Sequence, residues 1–174
     1  MDDIIKVLDS MILYDTGDVR RINHFLKVYG FAKAIGAMEG LDGATQKILE
    51  IAALVHDIGI RNSELKYNCS DGKYQQMEGP PEAKKMLEAL EIDEGIIERV
   101  CWLVAHHHTY TDIDGSDYQI LVEADFLVNI YEDKLPAEPI RRIREKIFQT
   151  QSGTRILESM YLPDIYRSSS QENA

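Results

Sequence analysis

The chain has 174 residues, with 30 acidic side chains against 19 basic ones and a formal charge of −11. That length suits one domain, and that charge sets the surface against gripping a nucleic-acid backbone. With 44% hydrophobic residues it can bury a real core, which excludes general disorder. 

The predicted elements, in chain order, are nearly all helical. Ile4, Ile5, Leu8, Met11 and Ile12 recur at spacings of three and four and predict a short helix over 2–14. Thr16-Gly17-Asp18 breaks it, and Asp18 caps a second helix that runs to about Met38. Gly40 and Gly43 end that helix. Over 44–58 the apolar residues cover nearly every direction around the axis, which predicts a central, buried helix. From Gly59 to Pro81 the periodicity lapses, and Asn62, Asn68, Ser70, Asp71, Gly72, Gly79 and Pro80 predict a long loop with at most a short helical turn in it. Helical spacing returns at 81–91, 94–108, 117–134, 138–149 and 152–161, and 168–174 reads as a polar tail. No run alternates with period two. The expected fold is all-α, a compact helical bundle forming a single domain over 1–167.

Cys69 and Cys101 form no C-x-x-C pair, so neither a disulfide framework nor a thiolate zinc site is expected. The longest apolar runs are about five residues, as in Ile51–Val55, against the ~20 that a bilayer span needs, and Met1-Asp2-Asp3 lacks the basic start of a signal peptide. A cytoplasmic location with no membrane partner is the expectation.

The chemistry concentrates where ionisable residues fall on apolar stripes. His56-Asp57 closes the all-apolar helix, and a lone buried carboxylate costs several kcal/mol unless a cation compensates it. His24 shares a stripe with Val28, Phe31, Ile35 and Met38, and Asp125 shares one with Leu121 and Val128. Within His106-His107-His108, the 100° step of a helix aligns His107 with Ile97, Val100 and Val104 and His108 with Cys101 and Val104. His106 then falls nearer the edge.

This pattern, His24, then His56-Asp57, then Asp125 on separate helices, resembles the HD superfamily of metal-dependent phosphohydrolases over roughly residues 18–134. The resemblance implies that these four side chains bind a first divalent ion, with Asp57 bridging to a second and His56 and Asp57 serving catalysis. In binuclear relatives further histidines join. His107 and His108 match the later pair, while Glu78 stands at the intermediate position, either as an oxygen ligand or as an ordinary carboxylate at a helix start. Imidazole and carboxylate donors leave Fe, Mn, Ni, Co and Zn open, in one or two ions. Ile60 follows Ile58-Gly59 where the cyclic-dinucleotide phosphodiesterases with an HD-GYP signature have Lys, and no Gly-Tyr-Pro follows, which argues against cyclic di-GMP hydrolysis.

The implied activity is hydrolysis of a phosphate ester or anhydride of a small molecule, a nucleotide first among them, by a metal-bound hydroxide. Arg20, Arg21, Lys27 and Arg61 are candidate phosphate contacts, or exposed surface cations. Two alternatives stand beside it. One is a di-iron oxygenase of the same superfamily, and the other is a regulatory module that binds nucleotide or metal without turnover. The oligomeric state stays open.

Overall fold

The computed structural model describes residues 2–165. The tail expected over 168–174, and the end of the domain expected at 167, lie outside the described residues. Several helices start where the sequence supplies a side-chain cap. In α1 (Asp3–Tyr14) the Asp2 side chain accepts the Ile4 N–H, and in α2 (Val19–Met38) Asp18 accepts the Arg21 N–H. Asp42 accepts the Ala44 and Thr45 N–H groups at the start of α3 (Gly43–Val55), and Asp93 serves α6 (Glu94–His106) in the same way. The remaining elements are α4 (Ile60–Tyr67), α5 (Gly72–Ala89), α7 (Ser116–Glu132), α8 (Ala137–Lys146) and α9 (Gln151–Tyr161). No strand occurs among the described residues.

Helix α3 is the axis of the bundle. Every residue from Leu49 to Val55 is buried, because α1, α2, α6 and α7 all pack against it. Burying each Leu, Ile or Val there contributes roughly 1.5–3 kcal/mol. Ala52 and Ala53 keep its sides narrow, so neighbouring helices approach closely. One apolar core runs through the described residues, from Val7 and Met11 of α1 to Leu157 and Leu162 at the far end.

The long loop expected between Gly59 and Pro81 is instead a helical hairpin, α4 and α5, packed together. Helix α5 carries Pro80 and Pro81 in its interior, and its buried residues are Gln75, Glu78, Gly79, Ala83 and Leu87. Polar and glycine residues occupy the buried face of its first half, so apolar spacing gives no signal there. Two glycines bring the hairpin onto the core. A side-chain carbon at Gly59 would lie 2.5 Å from the Gln75 carbonyl oxygen, and one at Gly79 would lie 2.6 Å from Val104 Cγ1. The backbones meet at a distance that no larger residue permits.

Candidate metal centre

Four helices deliver the ionisable residues to one place. His24 comes from the middle of α2, His56 and Asp57 from the end of α3, His107 and His108 from the end of α6, and Asp125 from the middle of α7. His24 Nε2 lies 3.3 Å from His56 Nε2, 3.4 Å from Asp57 Oδ2 and 3.3 Å from Asp125 Oδ1. His56 Nε2 lies 3.5 Å from Asp57 Oδ2 and 3.6 Å from Asp125 Oδ1. The other Asp57 oxygen, Oδ1, is 3.4 Å from His107 Nε2. Asp57 therefore faces two donor groups at once, His24 with His56 on one side and His107 with His108 on the other.

The outer ring nitrogens decide what the inner ones can do. His56 Nδ1 is 2.9 Å from the Ala53 carbonyl and His107 Nδ1 is 2.8 Å from that of Val104. A carbonyl accepts only, so each Nδ1 carries the proton, and a neutral ring then turns the lone pair of Nε2 inward. His107 Nε2 is buried and has no hydrogen-bond partner. Lone pairs of imidazoles and carboxylates thus confront one another in a buried space, an arrangement that a cation relieves. Their spacing suits a metal ion, because ligands bonded at ~2.1 Å sit roughly 3.0–3.4 Å apart in octahedral and tetrahedral shells. The set is imidazole and carboxylate with no thiolate, which fits a divalent transition metal.

Protons compete for the same lone pairs. Burial alone pushes the His56 value down, but the Asp57 and Asp125 carboxylates more than reverse this and raise it to about 9. His24 is raised in the same way, by Asp125 above all, against its burial. Asp57 and Asp125 are held well below the usual carboxylate range: burial opposes this, and the surrounding imidazoles overcome it. His108 moves the other way, to about 4, because burial and the neighbouring His107 disfavour its charge.

Two residues outside the expected set complete the centre. Glu132 Oε2 is 3.1 Å from His24 Nδ1, and its Oε1 accepts from Lys27 Nζ at 2.6 Å. A carboxylate on the outer nitrogen fixes the ring and strengthens the inner one as a donor. Gln75 Nε2 donates to the Ser70 carbonyl at 2.7 Å, which leaves Gln75 Oε1 to accept from His108 Nε2 at 3.1 Å. That bond directs the His108 lone pair to Nδ1. Neither partner had a signal in the apolar spacing. Each is defined by a contact between distant segments, 108 residues apart for His24 and Glu132.

Glu78 is not brought into the cluster. It lies inside α5 rather than at a helix start, and its carboxylate accepts from Lys66 Nζ at 2.5 Å and Tyr67 Oη at 2.9 Å. His106 also stays apart, stacked on Trp102 with ring centroids 4.1 Å apart. The donors His24, Asp57, His108 and Asp125 open into a cavity of about 430 Å³, within the range of small-molecule sites. Of the four candidate phosphate contacts, Arg20 lines this cavity with no ion pair among the described residues. Arg21 also lines it but is tied to Glu64 at 2.6 Å and Asp18 at 3.3 Å. Lys27 is spent on Glu132, and Arg61 donates to the Tyr14 carbonyl in a separate cavity.

The helical architecture and these converging donors define a protein with an all-α metal-site fold. The chain belongs to the HD domain family, whose sequence profile matches residues 21–147. Members are typically metal-dependent hydrolases. Among solved structures, a predicted HD superfamily hydrolase from an uncultured Thermotogales bacterium shares the fold. It is 22% identical, with a TM-score of 0.63, and the match covers 98% of this chain and 91% of that one. Among curated proteins nothing matches. No described helix is long and apolar enough to cross a membrane.

Proposed function

We propose that the protein hydrolyses a phosphate ester or anhydride of a small molecule. In this reading His24, His56, Asp57 and Asp125 hold a first divalent ion, and Asp57, His107 and His108 hold a second. The observation that carries it is the position of Asp57, whose two oxygens face the two donor groups separately. Bound ions there would supply a water of lowered pKa and positive charge opposite the phosphoryl oxygens.

The chain's own residues do the rest. Asp57, between the two groups, orients the attacking water along the line to phosphorus. His56 is fully buried and pinned by Ala53, so its ring holds one direction while charge shifts. Arg20 faces the cavity and binds phosphoryl oxygens. The water oxygen bonds to phosphorus and gives up a proton, the P–O bond to the leaving group breaks, and the leaving oxygen takes up a proton in exchange for the one the water lost. Glu78 would join the second group only by giving up Lys66 and Tyr67. A single domain over 1–167 and a cytoplasmic location belong to the same proposal.

The test is phosphate release by protein loaded in turn with manganese, cobalt, zinc, nickel and iron. The panel holds nucleotides, sugar phosphates and dinucleoside polyphosphates. Metal-dependent release supports the reading. Oxygen consumption by the iron form with no phosphate released would overturn it in favour of an oxygenase, and tight nucleotide binding without any product would leave a binding module.

A further inference from the structure

The cavity wall beyond the metal ligands is acidic. Asp18, Glu64, Glu132 and Asp133 line it, against the two guanidinium groups of Arg20 and Arg21. Of these two, Arg21 is already held by Asp18 and Glu64. Glu132 is matched by Lys27 and His24. Asp133 ends α7 with no ion pair among the described residues. One cation, Arg20, is therefore left to meet an anionic substrate outside the centre, and one unmatched carboxylate faces the same space.

We propose that the substrate carries a single phosphoryl group, as a phosphate monoester, and that the wall selects against di- and triphosphates. This rests on the hydrolase reading above and narrows it from esters and anhydrides to monoesters. A monoester places one phosphoryl group at the centre, where ions held by the two donor groups would balance its charge together with Arg20. Each further phosphate of a chain adds negative charge that must lie along the wall. There it meets Asp133, and the Asp18 and Glu64 carboxylates that outnumber the one Arg21 guanidinium between them, instead of the several Lys and Arg side chains that polyphosphate recognition uses. The remainder of the monoester meets the Ser70 hydroxyl and the Asn129 amide, which hydrogen-bond without demanding charge.

The experiment uses the full chain loaded with saturating manganese(II). Phosphate release is measured from adenosine 5′-monophosphate, 5′-diphosphate and 5′-triphosphate, so that chain length is the one variable, with p-nitrophenyl phosphate as a monoester of a different alcohol. The expected result is a kcat/KM for the monophosphate at least tenfold above that for the triphosphate, with a gap that narrows as salt rises. In Asp133→Asn, and further in Asp133→Asn with Glu64→Gln, the gap narrows through the KM of the triphosphate; both side chains are exposed, so the fold tolerates the change. Triphosphate turnover equal to or above that of the monophosphate overturns the inference and leaves the hydrolase reading standing. A gap that survives both variants unchanged also overturns it, since wall charge is then not its cause. Protein that releases phosphate from none of the four, nor from the wider substrate panel with any of the five metals, overturns both readings.

Discussion

Helix α7 buries two carboxylates two residues apart, Glu123 and Asp125, and they are put to opposite uses. Glu123 is saturated by donors. Its Oε1 accepts from Gln119 Nε2 at 2.7 Å, from the Gln149 N–H at 2.7 Å and from the Thr150 N–H at 2.9 Å, and its Oε2 accepts from Thr150 Oγ1. It anchors the turn that leads into α9. Asp125 has one such donor, Asn129 Nδ2 at 2.9 Å, and otherwise faces the inner nitrogens of His24 and His56. A buried charge surrounded by N–H groups is finished business for the fold, whereas one surrounded by other lone-pair donors awaits a cation. Burial alone does not separate the two; the identity of the neighbours does.

The contrast is broken most sharply at the centre. Asp57→Ala removes the carboxylate shared by both donor groups, and its expected cost in metal affinity exceeds the roughly 10–100-fold typical of supporting residues. Metal per chain after dialysis, measured by elemental analysis, checks it, and the metal-free protein should still fold. Glu123→Ala should do the reverse. Leaving the part-buried Gln149 and Thr150 N–H groups without their acceptor costs about 1–3 kcal/mol of stability in denaturant unfolding, with metal affinity in the folded protein unchanged.

Glu132→Gln sharpens the comparison from outside. It should weaken metal binding about 10-fold or more while moving the stability of the metal-free protein little, and the visible spectrum of the cobalt(II) form should shift as His24 loses its anionic partner. Unchanged affinity and spectrum would show that Glu132 serves Lys27 alone.

pH dependence should follow the ligand protons. In chelator-treated protein the folded His56 value of about 9 lies above its ordinary 6.5. Its protonation therefore contributes stability in full below about pH 6.5, and the contribution is lost as pH rises through 9. Asp57 and Asp125, depressed from 3.8, contribute above that value and lose their contribution as pH falls below it. Thermal melts should show a plateau between those limits and an alkaline decline that manganese suppresses. The smallest effect is expected from Glu78→Ala, which should leave the metal-to-chain ratio of wild type, because Lys66 and Tyr67 hold that carboxylate.

Much of this was readable in the sequence wherever burial and apolar spacing coincide. His24, His56, Asp57 and Asp125 each stand out by interrupting an apolar stripe, the resemblance to the HD superfamily groups them, and the 100° step sets His107 inward and His106 nearer the edge, where it stacks on Trp102. The stretch 60–80 was not readable, because the buried face of α5 there is built from Gln75, Glu78 and Gly79 rather than from apolar residues. The sequence pattern points there to Glu78, whereas it is Gln75 that meets His108. Arg20, Arg21, Lys27 and Arg61 were indistinguishable as cations, since which of them stays unpaired depends on acids from other helices.

The close approach of Gly59 and Gly79 also bears on what variation this protein can accept. Gly59 stands two residues after Asp57, and its α-carbon rests against the α5 backbone that carries Gln75. Adding one methyl group there would push the hairpin outward and pull on the Asp57 carboxylate at the same stroke. A random library should therefore recover the surface acids in many forms and these two glycines in one, so the stretch least legible by hydrophobicity becomes the most sharply written in mutational tolerance.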